Sequence, residues 1–133
     1  MSIQKFHGKG EKILIVEDEE DILKLTAALL RKNNYSVSEA SSVQEALDIF
    51  RQKKGEFSLI LSDYRLPDQT GLDLINQLLL YRPELQILLV SGYAIPKSQW
   101  AVIREKGYRF LQKPYTLSDL LQTVREMIEP GDQ

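Results

Sequence analysis

The chain of 133 residues, with 43% hydrophobic residues and a formal charge of −2, has the size of one domain with its own core and is too short for two. It contains no cysteine and a single histidine, His7, which excludes disulfides, cysteine zinc sites and thiol nucleophiles. Because the charge is nearly balanced and no long apolar run or signal peptide is present, we expect a soluble, cytoplasmic domain that binds neither nucleic acid nor membrane directly.

Short apolar segments alternate with longer segments of helical periodicity from about residue 11 onward. The apolar segments predict five β-strands, at 13–16, 35–40, 59–61, 87–90 and 108–111. The first, third and fourth are apolar at every position, which is typical of strands buried on both faces of a parallel sheet. The second and fifth are more polar, so we expect them nearer the edges of the sheet.

Five amphipathic helices are predicted between and after these strands. The fourth is predicted between Pro96 and Lys106, and Ser42 and Ser118 resemble the residues at which helices start. Apolar residues at helical spacing define the predicted buried faces of the other four helices. These faces are Ile22, Leu25 and Leu29; Val43, Ala46, Leu47 and Phe50; Leu72, Ile75 and Leu79; and Leu117, Leu120, Leu121, Val124 and Ile128.

Alternating strands and helices predict an α/β fold, a doubly wound five-stranded parallel sheet within a three-layer sandwich. A closed eight-stranded barrel needs about 250 residues, so an open sheet is favoured. We expect residues 1–10 to be a lead or linker, 11–129 the folded domain and 130–133 a tail. Ligands of such sheets bind beyond the carboxyl ends of the strands, where functional residues are therefore to be sought.

Charged and hydroxyl side chains follow four of the predicted strands. Glu17 and Asp18 follow the first strand, Asp63 the third, Ser91 the fourth and Lys113 the fifth. If the first and third strands are neighbours, their carboxylates come within about 5 Å and repel each other by about 3 kcal/mol at an effective dielectric constant near 20. This repulsion predicts a bound cation, and carboxylates without histidine or cysteine favour Mg²⁺ or Mn²⁺.

Structural roles compete with this interpretation. Glu19 and Asp21 lie in the first turn of the first helix, so we assign them to the helix dipole and not to the site. Helix capping and a role in the site carry equal weight for Glu17 and Asp18, and an aspartate such as Asp63 more often forms a turn. The convergence of four strand ends on one place favours a site.

These motifs resemble, in order and spacing, those of the receiver domains of two-component response regulators and hybrid histidine kinases. The resemblance covers about residues 11–129 and implies the flavodoxin-like (βα)5 fold with strand order 2-1-3-4-5. The matching segments are 13–19 with the acidic pair, 61–71 with Asp63, Pro67 and Gly71, 90–93 with Ser91, and 110–114 with Phe110, Lys113 and Pro114.

The resemblance implies phosphorelay signal transduction. Asp63 would accept a phosphoryl group from the phosphohistidine of a sensor histidine kinase or a phosphotransfer domain. Asp18, Asp63 and the backbone carbonyl of Arg65 would hold Mg²⁺, and Glu17 would reach the ion through water. Arg65 and Tyr93 flank the path of hydrolytic water, and we expect their bulk to slow loss of the phosphoryl group.

Three further residues would couple phosphorylation to output in this family. Lys113 would bind one phosphoryl oxygen, and Ser91 would move to bind another. Phe110 would rotate behind Ser91 and change the face of the fourth helix, fifth strand and fifth helix, where a downstream protein docks. The sequence departs from the commoner pattern with Glu17 for Asp, Ser91 for Thr and Phe110 for Tyr, and the departures at 17 and 91 keep the carboxylate and the hydroxyl.

The origin of the receiver has two interpretations. The segments 10–14, 91–94 and 111–115 are similar to receivers at the C-termini of hybrid sensor histidine kinases, which favours such an origin. Kinase activity would then belong to the larger protein and not to this domain. The alternative is a free-standing single-domain response regulator.

Rival functions are disfavoured by particular residues. An FMN-binding module would need a phosphate-binding loop after the first strand, where Glu17 and Asp18 would repel a phosphate. A phosphatase with Asp63 as its nucleophile would need a general acid at the position of Arg65, which cannot give up a proton. A degenerate receiver that binds partners without phosphate is disfavoured because Asp18, Asp63 and Lys113 are intact.

Overall fold

A computed structural model describes residues 8–128, in which strands and helices alternate strictly. The elements are β1 Lys12–Val16, α1 Glu20–Lys32, β2 Ser36–Ala40, α2 Val43–Gln52, β3 Leu59–Asp63, α3 Gly71–Tyr81, β4 Gln86–Ser91, α4 Lys97–Lys106, β5 Arg109–Gln112 and α5 Leu117–Ile128. His7, residue 129 and the predicted tail 130–133 lie outside the described residues, and the predicted domain boundaries stay predictions. Between residues 8 and 128, no helix has the length and apolar character needed to cross a bilayer.

The five strands form one parallel sheet in the order β2-β1-β3-β4-β5. This confirms both the predicted fold class and the strand order that the resemblance implies. The polar strands β2 and β5 lie at the two edges, as predicted, and β3 in the centre is buried along its whole length. Consequently the first and third strands are direct neighbours, with Val16 opposite Ser62, one residue before the carboxylates that follow.

Side chains of the central strands alternate between two cores, one on each face of the sheet. Leu14 and Ile60 belong to the core beneath α2, α3 and α4, and Ile13 and Leu59 to the core beneath α1 and α5. All four are fully buried. Burying an aliphatic side chain contributes about 1.5–3 kcal/mol, so both faces of the sheet stabilise the three-layer arrangement.

The buried face of α1 differs from the predicted one. Its buried residues are Leu23, Thr26, Ala27 and Leu30. The predicted face of Ile22, Leu25 and Leu29 lies beside them, and Leu25 is 65% exposed. Both sets satisfy helical spacing because α1 is apolar over a wide arc. Periodicity alone therefore could not show which part of that arc contacts the sheet.

Two helix starts were predicted from serine residues, and one of them is correct. The Ser42 hydroxyl accepts a hydrogen bond from the Glu45 amide at 3.1 Å, so Ser42 caps α2. The prediction for Ser118 is wrong, since α5 begins at Leu117. The Thr116 hydroxyl accepts the bond from the Asp119 amide at 2.9 Å, and it therefore occupies the capping position.

Candidate functional site

Three carboxylates meet where β1 and β3 end. Glu17 and Asp18 directly follow β1, Asp63 is the last residue of β3, and one ligand oxygen from each lies within 4.8 Å of the others. Glu17 and Asp63 are buried, with 4% and 7% of their surface exposed, and Asp18 is exposed. We call these three residues the acidic group. Like charges this close repel strongly, so the arrangement requires nearby positive charge.

Lys113 supplies part of that charge from the segment after β5. Its Nζ donates hydrogen bonds to Glu17 Oε1 at 2.6 Å and to Asp63 Oδ2 at 3.1 Å. Burial lowers the pKa of Lys113, but the hydrogen bond to Glu17 and the charges of Glu17 and Asp63 outweigh this effect and raise the pKa above its usual value. Burial also raises the pKa of Glu17, which the hydrogen bond from Lys113 opposes. Lys113 is therefore a fixed positive charge inside the site.

The donor set of the acidic group fits a hard divalent cation. Every candidate ligand atom is a carboxylate oxygen, the donor that Mg²⁺ and Mn²⁺ prefer. Three carboxylates and one ammonium leave a net charge of −2, so a divalent cation would neutralise the cluster. Asp18 is the member open to solvent, and Lys113 binds both Glu17 and Asp63, with the shorter hydrogen bond to Glu17. The pairing of Glu17 with Lys113 was not foreseen from the sequence.

Ser91 lies next to this cluster through its main chain, while its hydroxyl is engaged elsewhere. The Lys113 amide donates to the Ser91 carbonyl at 2.9 Å. The fully buried Ser91 hydroxyl donates to the Tyr93 carbonyl and accepts from the Tyr93 amide, both at 3.1 Å. The hydroxyl must release the Tyr93 carbonyl before it can donate a hydrogen bond to another acceptor.

Arg65 and Tyr93 form a pair between the loops that follow β3 and β4. The Arg65 amide donates to Asp63 Oδ1 at 3.4 Å, which keeps its main chain beside the acidic group. Its guanidinium lies 5.4 Å from the centre of the Tyr93 ring, a distance suited to a cation–π interaction. Both side chains are exposed, and they connect the two loops on either side of Asp63.

Gly71, the first residue of α3, is sterically required at the site. Its amide donates to the Tyr64 carbonyl at 2.6 Å. A Cβ atom at this position would collide with the backbone carbonyl oxygen of Asp63. The close approach of α3 to the end of β3 therefore explains the glycine that the motif contains.

Phe110 lies in β5 and packs against α4. Its ring meets that of Trp100 edge to face, with centroids 5.0 Å apart and an interplanar angle of 79°. Both rings are half-buried and rest on the core beneath α4. The pair connects β5 with α4, which are two of the three elements of the predicted output face.

An apolar groove extends from the acidic group and was missed from the sequence. It has a volume of about 620 Å³ and runs from Asp63 and Lys113 between α1 and the start of α5. Its apolar lining residues include Ile22, Leu25, Leu29, Leu117 and Leu120. Leu117 is 54% exposed. Thr26 and Tyr115 also line the groove. The sequence predicts Leu25 and Leu117 on buried faces, and only their exposure in the structure reveals the groove.

Similar proteins are signalling proteins that differ greatly in size. Over 120 residues the chain is 34% identical to the sensor kinase CckA of Brucella abortus, which covers 90% of this chain. The chain spans 13% of that kinase and 18–25% of several larger response regulators. It is also 26% identical to the response regulator receiver protein CpdR of Brucella abortus, covering 89% of this chain and 97% of CpdR.

A solved structure and a family match agree with these relatives. The CheY-like receiver domain protein of Methanospirillum hungatei superposes with a TM-score of 0.82 at 30% identity, covering 91% of this chain and 95% of that one. Residues 13–125 match the response regulator receiver domain family. That range contains both edge strands, the acidic group and Lys113. The chain therefore belongs to the response regulator receiver domains of two-component signalling.

Proposed function

We propose that this receiver accepts a phosphoryl group on Asp63 from a phosphohistidine of a sensor histidine kinase or a phosphotransfer domain. The observation that carries the proposal is the contact of Lys113 Nζ with Asp63 Oδ2 at 3.1 Å inside the acidic group. This contact places a nucleophilic carboxylate beside an ammonium group that can also bind the transferred phosphoryl group. An Asp63 oxygen attacks phosphorus, the phosphorus–nitrogen bond breaks, and its electron pair returns to the imidazole nitrogen of the donor.

The other residues prepare this transfer. Asp18, Asp63 and the Arg65 carbonyl would hold Mg²⁺, with Glu17 acting through water, and the bound ion neutralises charge on the transferring group. Lys113 exchanges its bond to Asp63 for a bond to a phosphoryl oxygen and keeps its bond to Glu17. The net charge of −2 on the cluster supports the need for the ion.

The switch to output follows from the bonds of Ser91. In the structure its hydroxyl is bound to the main chain of Tyr93. A phosphoryl group on Asp63 offers a stronger, charged acceptor, and Ser91 turns towards it. Phe110 then rotates behind Ser91 and separates from Trp100, which changes the face formed by α4, β5 and α5. We propose that a downstream protein docks on that face.

Acetyl phosphate with Mg²⁺ tests the proposed chemistry without a kinase. The intact protein should gain the mass of one phosphoryl group, only when Mg²⁺ is present. Neutral hydroxylamine should remove it, because hydroxylamine cleaves acyl phosphates and leaves phosphoserine and phosphothreonine intact. A gain in mass that resists hydroxylamine, or no gain in mass, would contradict phosphorylation of an aspartate.

We further propose that the groove beside α1 receives the phosphate donor. The donor must bring its phosphohistidine to Asp63, and the groove is continuous with that residue. Its exposed apolar residues Leu25 and Leu117 fit an apolar helical surface next to the histidine of the donor. A histidine-containing helical protein is therefore the partner that this surface favours.

Substitution of Leu25 by Ser tests the groove. We expect phosphorylation by a histidine phosphotransfer protein active on the wild-type receiver to become about tenfold less efficient, the effect of losing about 1.4 kcal/mol of interface energy. Phosphorylation by acetyl phosphate should be unchanged. Leu80→Ser is the matched control, because Leu80 on α3 is 83% exposed and lies outside the groove. Equal rates for wild type and Leu25→Ser with the protein donor would disprove docking in the groove.

Arg65 and Tyr93 should extend the lifetime of the phosphorylated state. Their cation–π contact links the loops on either side of Asp63 and restricts the entry of water. We expect Arg65→Ala or Tyr93→Ala to shorten the lifetime about two- to fivefold, the factor that corresponds to the free energy of a surface cation–π interaction. The double variant should add little, since either change already breaks the pair. The measurement is decay of the phosphoprotein after donor removal, and unchanged decay in both single variants would refute this role.

For the whole protein, we propose a hybrid sensor histidine kinase in which residues 11–129 form the receiver domain. We propose the cytoplasm as its location, because kinases obtain their ATP there. Identity of 34% to a sensor kinase, against 26% to a single-domain regulator, supports this origin. The free-standing regulator is the second candidate, supported by 97% coverage of CpdR. The gene sequence on either side of this coding segment distinguishes the two.

A further inference from the structure

Asp68 connects the loop after β3 to the start of α2. Its Oδ1 accepts a hydrogen bond from the Val43 amide at 3.0 Å, and its Oδ2 accepts one from the Gln44 amide at 3.1 Å. These are the first two residues of α2, whose amides have no partner within the helix. Burial acts to raise the pKa of Asp68, but the backbone hydrogen bonds outweigh it and hold the pKa below its usual value. An ionised carboxylate thus caps a helix that starts 25 residues earlier in the chain.

The same loop contains the main chain that borders Asp63. The Tyr64 amide donates to the Val90 carbonyl at 2.8 Å, and Arg65 and Thr70 form an antiparallel bridge across the loop. At its far end, Thr70 and Asp73 form a capping box at the start of α3. These contacts hold the loop to β4, to itself and to α3. Asp68 adds a connection to the opposite side, towards α2.

That opposite side also borders the acidic group. Strand β2 leads into α2, and its last residue, Ala40, accepts a hydrogen bond from the Glu17 amide at 3.0 Å. Asp68 therefore connects the loop beside Asp63 with the elements that hold Glu17. The two sides of the acidic group are joined by this carboxylate as well as by the sheet.

We propose that Asp68 is a positioning residue for the divalent cation, which holds the 64–70 loop so that the Arg65 main chain stays beside the acidic group. The inference rests on the proposed function, because the cation and the Arg65 carbonyl as its ligand belong to that proposal. A loop without the tether must be ordered when the ion binds, and the entropy lost in that ordering weakens binding. A tethered loop is ordered beforehand.

The chain contains a matched control for this role. Helix α2 has a second cap, the Ser42 hydroxyl, which accepts from the Glu45 amide at 3.1 Å. Loss of either cap destabilises the same end of the same helix by a similar amount. Only Asp68 lies on the loop that reaches Asp63. A role in folding alone predicts equal effects of the two substitutions, whereas positioning predicts an effect on cation affinity for Asp68 alone.

Calorimetric titration of the metal-free protein with MgCl₂ tests the inference. We expect Asp68→Ala to weaken Mg²⁺ binding about tenfold, the low end of the effect of groups that orient metal ligands. Asp68→Asn keeps one acceptor oxygen and should recover part of the loss. Ser42→Ala should bind Mg²⁺ like the wild type while its thermal unfolding midpoint falls about as far as that of Asp68→Ala.

Two results would overturn the positioning role and leave the proposed function standing. One is wild-type affinity in Asp68→Ala, and the other is an equal loss of affinity in Ser42→Ala. A wild-type protein that takes up no Mg²⁺ would instead contradict the metal site itself, and the role of Asp68 would fall with it. The wild-type titration therefore separates failure of the two proposals.

Discussion

Replacement of Asp63 by Asn is expected to abolish phosphorylation by acetyl phosphate and by any histidine donor. The amide is a far weaker nucleophile than the carboxylate, so no acyl phosphate forms. Its side-chain oxygen can still accept the hydrogen bond that Lys113 donates at 3.1 Å. Mass spectrometry of the intact protein after incubation with Mg²⁺ and acetyl phosphate measures the result. Gain of a hydroxylamine-sensitive phosphoryl group by Asp63→Asn would place the acceptor elsewhere.

Two controls separate lost chemistry from lost structure. Asp119→Asn removes the same charge from an exposed residue in the first turn of α5 and should be phosphorylated like the wild type. Asp63→Asn should also unfold no earlier than the wild type in Mg²⁺-free buffer. The cluster then carries a charge of −1 in place of −2, so repulsion within the acidic group decreases.

Replacement of Lys113 by Met is expected to change two properties in opposite directions. Phosphorylation should slow about a hundredfold, the usual cost of removing one donor that stabilises a developing anion. Mg²⁺ affinity should rise at least about tenfold, because a positive charge within hydrogen-bonding distance of Glu17 and Asp63 disappears and the cation faces less repulsion. Met has a similar length and apolar stem, so the change is mainly one of charge.

The opposite changes in phosphorylation rate and Mg²⁺ affinity distinguish loss of the charge from misfolding. A misfolded variant would lose phosphorylation and Mg²⁺ binding together. Lys24→Met serves as the control, because Lys24 pairs with Glu39 at 2.9 Å on the surface and should alter neither property. Titration with MgCl₂ and the phosphorylation rate give the two readings. Weaker Mg²⁺ binding by Lys113→Met would show that the lysine supports the cation and does not compete with it.

The fold was predictable because the strongest signals in the sequence are those of complete burial. The central strands are apolar at every position, and in the structure they carry side chains into a core on each face of the sheet. Prediction failed where two arrangements have similar local chemistry. Thr116 and Ser118 can both cap a helix, and only the position of the Asp119 amide decides between them. The prediction of the buried face of α1 failed because two adjacent faces of that helix are both apolar.

The sequence indicates which residues lie at the candidate site, but not which hydrogen bonds they form. Strand order brings the ends of β1 and β3 together, so the meeting of Asp18 with Asp63 follows from topology. Lys113 follows the edge strand β5 and reaches the acidic group through its long side chain, and the roles of all three residues stay predictions. The hydrogen bond from the Ser91 hydroxyl to the Tyr93 carbonyl depends on a single side-chain torsion, which the spacing of residues in the sequence does not predict. The reach of Asp68 to α2 joins segments with no local relation in the sequence.

The contact between Trp100 and Phe110 gives the protein an intrinsic optical reporter. Trp100 is the single tryptophan of the chain, so its fluorescence has one source. Its indole lies 5.0 Å from the ring of Phe110, and tryptophan emission depends on its immediate surroundings. If Phe110 leaves this contact in the proposed switch, we expect water to reach one side of the indole and the emission to shift to longer wavelength. The proposed switch can therefore be followed in real time in unlabelled protein, with the two aromatic rings themselves as the probe.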